Sequence, residues 1–201
     1  MTKDQLYEEL KYVNHSRENR LKYAHIIIDN PELIPNVLDI LFNVDDKRSA
    51  RAAWLLEFIA RDNLDFLIPH LDRLTSEMHK VHLDSAVRPM AKICECLTEA
   101  YYSKHDNSIK HSLKSKHLEH IIECCFDWMI NDEKIAPKAY SMNSLYLLGE
   151  DYDWIHPELV LIIERDFQMQ SSGFKARAKH ILRKIKALSL IHISEPTRLL
   201  V

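Results

Sequence analysis

Small side chains recur at one place in a series of amphipathic segments, and this repeat constrains the fold more than any other feature of the sequence. The aligned positions are Ala24, Ala53, Ala91, Ala139 and Ala178, at intervals of 29, 38, 48 and 39 residues. After three of these segments comes an apolar partner with an early proline, Pro35, Pro69 or Pro157. Alanine lets helices approach closely, and proline is tolerated in a first helical turn. The pattern therefore predicts a unit of two helices repeated four or five times.

The rest of the chain favours helices as well. Helical periodicity is nearly continuous, and no segment alternates as a strand does. Thr2 and Gln5 stand at capping-box spacing, and Ser16 and Asn30 are predicted N-caps. Only two glycines occur in 201 residues, which disfavours hairpins and phosphate-cradling loops. The sequence predicts an all-α protein.

With this repeat, residues 14–187 resemble the HEAT/armadillo-like superfamily of right-handed helical solenoids. The resemblance implies a solenoid of four to five helix pairs, with an extended concave face suited to binding another macromolecule. The first segment, "TKDQLYEELKYV", is then an atypical cap on the array.

A second resemblance is to short bacterial proteins that share blocks similar to "ELKYVNHSRE", "HLDSAVRPMAKICE" and "KAYSMNSLYLLG". Some of these carry the label adenylosuccinate lyase, which implies a signature loop with a serine base. The nearest segment here, Ser85 to Lys92, reverses Met-Pro and lacks the Asn-Pro that follows in that loop. Lyase activity therefore stands as an alternative to a non-catalytic role.

The C-terminal segment has a different character. "LSLIHISEPTR", which begins at Leu188, resembles the translation of a transposase sequencing adapter, and Pro196 disfavours a continued helix. We expect residues 1–187 to form a single domain and residues 188–201 to be a non-native tail outside the fold.

Composition limits the classes of function. The net charge of −3 supplies no overall basic field for nucleic acid or an anionic membrane. The N-terminus lacks the apolar core of a signal peptide, and no apolar run is long enough to span a bilayer. We expect a cytoplasmic protein whose four cysteines are reduced, buried thiols.

Basic residues recur in the N-terminal halves of the aligned segments. Equivalent positions of a solenoid stack along one ridge, so these residues predict a basic binding ridge. Its members are Lys22, Arg51, Arg88, Lys138 and Arg177, with Arg48, Lys134 and Lys175 a turn earlier, and Arg51, Arg88, Lys138 and Arg177 at its centre. The alternative is a solvated face in which these cations pair with neighbouring carboxylates.

Two groups of histidines have the spacing of metal ligands. His117, His120 and Cys124 share a helical face, and His79 and His82 lie close to Asp84. A structural zinc site needs four ligands, which neither group supplies, so we assign no metal, no cofactor and no catalytic residue.

Aromatic residues stand where helices are expected to pack. Trp54, Trp128 and Trp154 fall on apolar helical faces and are predicted to pack in the core, and Tyr101 and Tyr102 form a packing pair at a helix end. The sequence favours a non-catalytic scaffold that binds a protein partner, and a partner with an acidic surface would suit the basic ridge. A nucleic-acid-binding protein is the other alternative, and no membrane partner is expected.

Overall fold

The helices alternate along the chain between two rows. The structure, a computed structural model, describes the backbone of residues 1–194 and the side chains of residues 1–188. The helices are α1 (Lys3–Glu9), α2 (Arg17–Ile28), α3 (Ile34–Leu41), α4 (Lys47–Asp62), α5 (Leu71–Glu77), α6 (Asp84–Tyr101), α7 (Ser108–Ser112), α8 (Ser115–Ile130), α9 (Ile135–Leu148), α10 (Ile155–Asp166) and α11 (Ser172–Ser194). Short 3₁₀ turns occupy Leu10–Tyr12, Pro31–Leu33, Leu64–His70 and Met78–Lys80. Within residues 1–194 there is no β-strand, so the predicted all-α class is confirmed.

One row, here called row A, consists of α2, α4, α6, α9 and α11, each packed against the next. Helices α3, α8 and α10 pack against row A from one side, α1 packs against α3, and α5 packs against α8. Row A therefore contains the five segments that the sequence aligned. Such an arrangement buries a continuous core between the rows and leaves the other side of row A open to solvent.

Local signals explain where several helices begin. The Thr2 side chain accepts a hydrogen bond from Gln5 N at 3.2 Å, and Gln5 Oε1 accepts one from Thr2 N at 2.8 Å, which completes the predicted capping box. Ser16 Oγ accepts from Asn19 N and caps α2 as predicted. The cap predicted at Asn30 is wrong: its side-chain amide donates to Ile26 O instead, back into α2.

The alanine alignment holds at four of its five positions. Ala24, Ala53, Ala91 and Ala178 are fully buried in the core of row A. Ala139 is partly exposed, so the register predicted for α9 is wrong. Two residues later Ser141 is fully buried, and Ser144 accepts a hydrogen bond from Thr98 of α6. Serine supplies the small side chains through which α9 approaches α6.

The proline positions agree with the predicted second helices of each pair. Pro35 lies in the first turn of α3 and Pro157 in the first turn of α10. Pro69 falls in the 3₁₀ turn Leu64–His70 that leads directly into α5. Pro89 lies inside α6 and costs that helix one backbone hydrogen bond.

The last helix passes the predicted end of the domain. Helix α11 runs on to Ser194, beyond Ala187, so the backbone is helical through the first part of the predicted tail. Residues 195–201 of that tail lie outside the described residues.

Aromatic and thiol side chains divide between core and surface. Trp128 is buried as predicted, whereas Trp154 is 54% exposed and stacks on Phe126 with ring centroids 5.4 Å apart. Tyr101 and Tyr102 form the predicted pair in an edge-to-face contact. All four cysteines are free thiols; Cys94, Cys124 and Cys125 are buried, and Cys96 is partly exposed.

Candidate binding face

The solvent side of row A carries cations and aromatic rings in alternation. The Arg20 guanidinium lies over the rings of Trp54 and Phe58, at 5.4 and 5.3 Å from their centroids. Farther along the row, Lys92 lies over Tyr140 at 5.2 Å and Lys184 over Tyr146 at 4.8 Å. Each contact joins a helix of row A to its neighbour, so the pattern crosses α2, α4, α6, α9 and α11. We call this surface the row A face.

Two cations of the row A face, Arg88 and Lys92, pair with carboxylates that are buried in the protein. Glu57 is 1% exposed and accepts two hydrogen bonds from the Arg88 guanidinium, at 3.2 and 2.5 Å. Glu95 is 3% exposed and accepts one from Lys92 Nζ at 2.7 Å. The cations of these pairs lie nearer the surface, with 31% of the Arg88 side chain and 19% of the Lys92 side chain exposed. Solvent therefore meets the positive end of each pair first.

The pairing also keeps Lys92 charged. Burial opposes the charge on Lys92, but the hydrogen bond to Glu95 and the nearby charge of Glu99 outweigh it, and the pKa of Lys92 is raised. Lys92 is thus a fixed positive charge of the row A face at neutral pH.

The structure places four of the six predicted ridge residues in or beside the row A face. Arg88 lies in the row A face above Glu57. Arg51 lies on the same side of α4 as Trp54, one turn earlier, and donates to Leu10 O at 2.8 Å. Lys134 precedes α9, is 72% exposed and pairs with Asp84 at 2.9 Å. Arg177 lies two turns before Lys184 on the same side of α11.

The other two predicted ridge residues lie elsewhere. Arg48 contacts α1, where its guanidinium covers the Tyr7 ring at 3.8 Å and pairs with Glu8 at 3.5 Å. Lys138 is only 3% exposed, and its ammonium group donates to Met129 O at 3.0 Å near the end of α8. This contact satisfies a carbonyl that the helix end leaves without an intrahelical partner.

The cations of the row A face do not stand at equivalent positions of their helices. Counted back from the aligned alanines, they stand one residue away for Arg177, two for Arg51 and three for Arg88. Each residue turns an α-helix by roughly 100°, so these offsets differ by up to about 200° around the helix. Arg51, Arg88 and Arg177 therefore lie in or beside the row A face without forming the single stacked ridge that the sequence predicted.

Sequence reasoning missed Arg20 altogether. It stands two residues before Lys22, on the opposite side of α2, and the alignment selected Lys22. The sequence feature that could have identified Arg20 is its place in the first turn of α2, a helix that packs against α4, where Trp54 and Phe58 stand one turn apart. Lys22 itself is exposed, and its ammonium group lies over the ring of Tyr23, 5.9 Å from the centroid.

The histidines with the spacing of metal ligands contact protein side chains instead. His117 Nε2 bonds to Asp72 at 2.5 Å, and His120 Nδ1 contacts Thr75 Oγ1 at 3.3 Å, both across the α5–α8 junction. His82 pairs with Asp45 at 3.4 Å. Throughout the residues searched, no group of three or more His, Cys, Asp or Glu side chains is arranged to hold a metal ion.

The segment compared with the lyase loop is helical. Ser85 and Lys92 both lie in α6, and Ser85 O accepts a hydrogen bond from Trp54 Nε1 at 2.7 Å. Lys92 bonds to Glu95 within the same helix. Neither side chain stands in a mobile loop of the kind that the lyase signature describes.

Comparison with known proteins agrees with the architecture. No helix in the described part of the chain is both long and apolar enough to cross a membrane. No curated protein and no solved structure matches the chain. A family model described as a HEAT repeat domain matches residues 6–185, which takes in α2 to α10 and most of α11. The chain therefore belongs to the HEAT repeat domain family.

Proposed function

We propose that this protein is a non-catalytic scaffold that binds an acidic protein partner through the row A face. The observation that carries the proposal is the orientation of its ion pairs, with Glu57 and Glu95 buried beneath Arg88 and Lys92. A surface built in this way presents positive charge and aromatic rings without a large net charge on the protein. An acidic surface is complementary to it, and that complementarity governs the rate and specificity of association.

Aromatic rings beneath the cations strengthen the proposal. Trp, Tyr and Arg side chains contribute most of the binding energy at protein interfaces. Trp54, Tyr140 and Tyr146 are each partly exposed, and each carries a cation from the neighbouring helix. The cation is thereby held in place before a partner arrives, which lowers the entropy cost of binding.

Not every cation of the row A face is suited to a charge-reversal test. Reversing Arg88 would leave the buried Glu57 carboxylate facing a second negative charge, and the variant would unfold for that reason alone. Lys134, Arg177 and Lys184 have no buried carboxylate as a partner among the described residues. Their reversal removes positive charge from the surface and leaves the core unchanged.

The test is a pull-down from the host extract with the wild type and with the triple variant Lys134→Glu, Arg177→Glu, Lys184→Glu. The matched control reverses Lys104, Lys110 and Lys114, three cations of the α6–α8 connection. A protein retained by wild type and control but lost with the triple variant is the expected result. Its affinity, measured with purified components, should fall as salt is raised.

Two outcomes would contradict the proposal. Equal retention by the triple variant would show that the row A face does not contact the partner. Empty eluates from wild type and variants that all melt at the same temperature would show that the face binds no protein in that extract.

A further inference from the structure

A cavity of about 230 Å³ opens in the row A face where α2, α4, α6 and α9 meet. Its lining includes His15, Arg20, Trp54, Ser85, Arg88 and Lys134. At ~30 Å³ per water it has room for about seven waters, enough for a tetrahedral oxyanion and the atoms that carry it. We propose that this cavity binds a phosphomonoester group, and, resting on the proposed function, that the protein partner carries this group.

Arg20 supplies a positive charge that no carboxylate balances. Its guanidinium donates to His15 O at 2.8 Å and to Ser16 O at 3.5 Å, and it lies over the rings of Trp54 and Phe58. No acidic side chain pairs with it among the described residues. Burial, then the nearby charge of Arg88, lowers the pKa of Arg20, and the charge of the buried Glu57 opposes this shift only in part.

The other walls of the cavity are fixed before any ligand binds. The two hydrogen bonds from Arg88 to the buried Glu57 hold its guanidinium in one orientation. The Trp54 indole donates to Ser85 O at 2.7 Å, which ties the aromatic wall of α4 to the first turn of α6. The planar guanidinium of arginine offers several hydrogen-bond donors to an oxyanion. Here two arginines are held in place before any oxyanion binds.

The charges around the cavity match a dianion. Arg20, Arg88 and Lys134 line it as cations, and Asp84 is the one carboxylate in its lining. Beneath the cavity, Glu57 bonds to Arg88 and also pairs with Arg61, at 3.5 Å. These four cations and two carboxylates leave two positive charges, and a phosphomonoester at pH 7 carries about −1.5 to −2. A carboxylate would leave one of them unbalanced.

The rest of the face favours a protein over nucleic acid as the source of the phosphate. A nucleic acid needs a run of cations along its backbone, and each diester carries a single charge. Beyond the cavity, Lys92 of α6 is neutralised by Glu95, and Arg177 and Lys184 lie apart on α11. The cations of the row A face therefore form no continuous run, and the excess positive charge at the cavity suits one phosphorylated side chain.

The test uses the full chain and follows the three tryptophan indole N–H signals by NMR during titration with inorganic phosphate and then with O-phosphoserine. We expect the Trp54 signal to shift and saturate while those of Trp128 and Trp154 stay in place. Arg20→Gln should weaken binding about tenfold or more, since it removes a charge-assisted contact. The matched control is Lys22→Gln, on the opposite side of the same helix, which should bind as the wild type does.

Several results would overturn the assignment. These are a Trp54 signal that does not move, binding of acetate as tight as that of phosphate, or equal affinity in Arg20→Gln. Tighter binding of a single-stranded oligonucleotide than of O-phosphoserine at the same indole would make nucleic acid the ligand and overturn the protein source. If Arg20→Gln does not fold, Lys134→Gln, at an exposed position, replaces it with the same expectation.

The two proposals fail separately. Phosphate binding in a protein whose pull-downs stay empty would overturn the protein partner and leave the cavity as a phosphate site. A partner captured through Lys134, Arg177 and Lys184 that loses nothing on phosphatase treatment would overturn the phosphate and leave the row A face as the interface.

Discussion

At the end of α9, Gly149 leaves room for the imidazole of His156. The His156 Nε2 group lies 2.8 Å from Tyr146 O, and its ring stacks on the Tyr146 ring with centroids 5.7 Å apart. A Cβ atom at position 149 would lie 2.2 Å from two atoms of that ring. The backbone at Gly149 has φ −67° and ψ −6°, which any residue adopts, so the reason for glycine here is space alone.

We therefore expect Gly149→Ala to displace the His156 ring and break its contact with Tyr146 O. Overpacking of this kind costs about 1–3 kcal/mol, a fall in Tm of roughly 2–12 °C for a chain of this size. Thermal unfolding followed by circular dichroism measures it. The same substitution in a His156→Ala background should cost less, because the ring is then absent.

Gly173 provides the matched control. A Cβ atom there would meet Ile135 Cγ2 at 3.5 Å, an ordinary contact, in the first turn of α11. Gly173→Ala should keep or slightly raise Tm, since alanine favours a helix over glycine by up to ~1 kcal/mol. Equal losses at the two positions would show that the His156 ring is not the cause.

At the scale of elements, polar contacts join α5 to α8. Asp72 accepts from His117 Nε2 at 2.5 Å and from Lys116 Nζ at 2.6 Å. His117 Nδ1 accepts from Lys114 N at 3.1 Å, so the imidazole proton lies on Nε2 and points at Asp72. His117 is 3% exposed, and this junction holds it in one orientation.

The junction predicts a dependence of stability on pH. The hydrogen bond from His117, then that from Lys116, lowers the pKa of Asp72 from 3.8 to about 2. A carboxylate with a lowered pKa in the folded state binds fewer protons than in the unfolded state, so its stabilisation is complete above pH 4 and disappears as the pH falls through 2. Asp72→Asn should lower stability at pH 7 and make the loss between pH 4 and 2 less steep. Urea unfolding at a series of pH values measures both.

Asp127→Asn is the control for this prediction. Asp127 lies exposed on α8 and forms no ion pair with the described residues. Its substitution should leave the slope between pH 4 and 2 as it is in the wild type. An Asp72→Asn protein with an unchanged slope would mean that other carboxylates, such as Asp39 beside Arg73, account for the acid sensitivity.

The helices could be predicted from the sequence because the residues that mark them act locally. The Thr2 capping box, the early prolines and the buried alanines each act within one helix or one pair of helices. The α9 register failed because serine took the place of alanine at Ser141. The α5–α8 junction depends on residues 45 apart in the chain, and periodicity carries no information about such pairs.

At the scale of the whole molecule, the binding face depends on which side of each helix meets solvent. The sequence predicted that cations recur in row A, and Arg51, Arg88, Lys134 and Arg177 do lie in or beside the row A face. It gave no way to see that Lys138 turns toward the end of α8. The orientation of Lys138 is set by its hydrogen bond to Met129 O of α8, a contact between two helices that the sequence pattern does not predict.

The repeat architecture also determines how the protein unfolds. Each helix of row A packs mainly against its neighbours in the row and against the helices behind it, so local losses should stay near the repeat in which they occur. Phe174 of α11 and Ile93 of α6 are both fully buried, one in the last helix of row A and the other in its middle. Truncation to alanine costs about 3–5 kcal/mol for phenylalanine and 2–5 for isoleucine.

We expect these two variants to differ in where they loosen the protein, more than in how much stability they lose. Hydrogen exchange read by mass spectrometry should show faster exchange in α10 and α11 of Phe174→Ala, with α2 to α4 little changed. Ile93→Ala should speed exchange in α4, α6, α8 and α9 together, because α6 has a row neighbour on each side. Uniformly faster exchange along the whole chain in Phe174→Ala would show instead that the rows unfold as one cooperative unit. A partner bound across the row A face would then be released whole by damage at its far end, instead of losing contacts one repeat at a time.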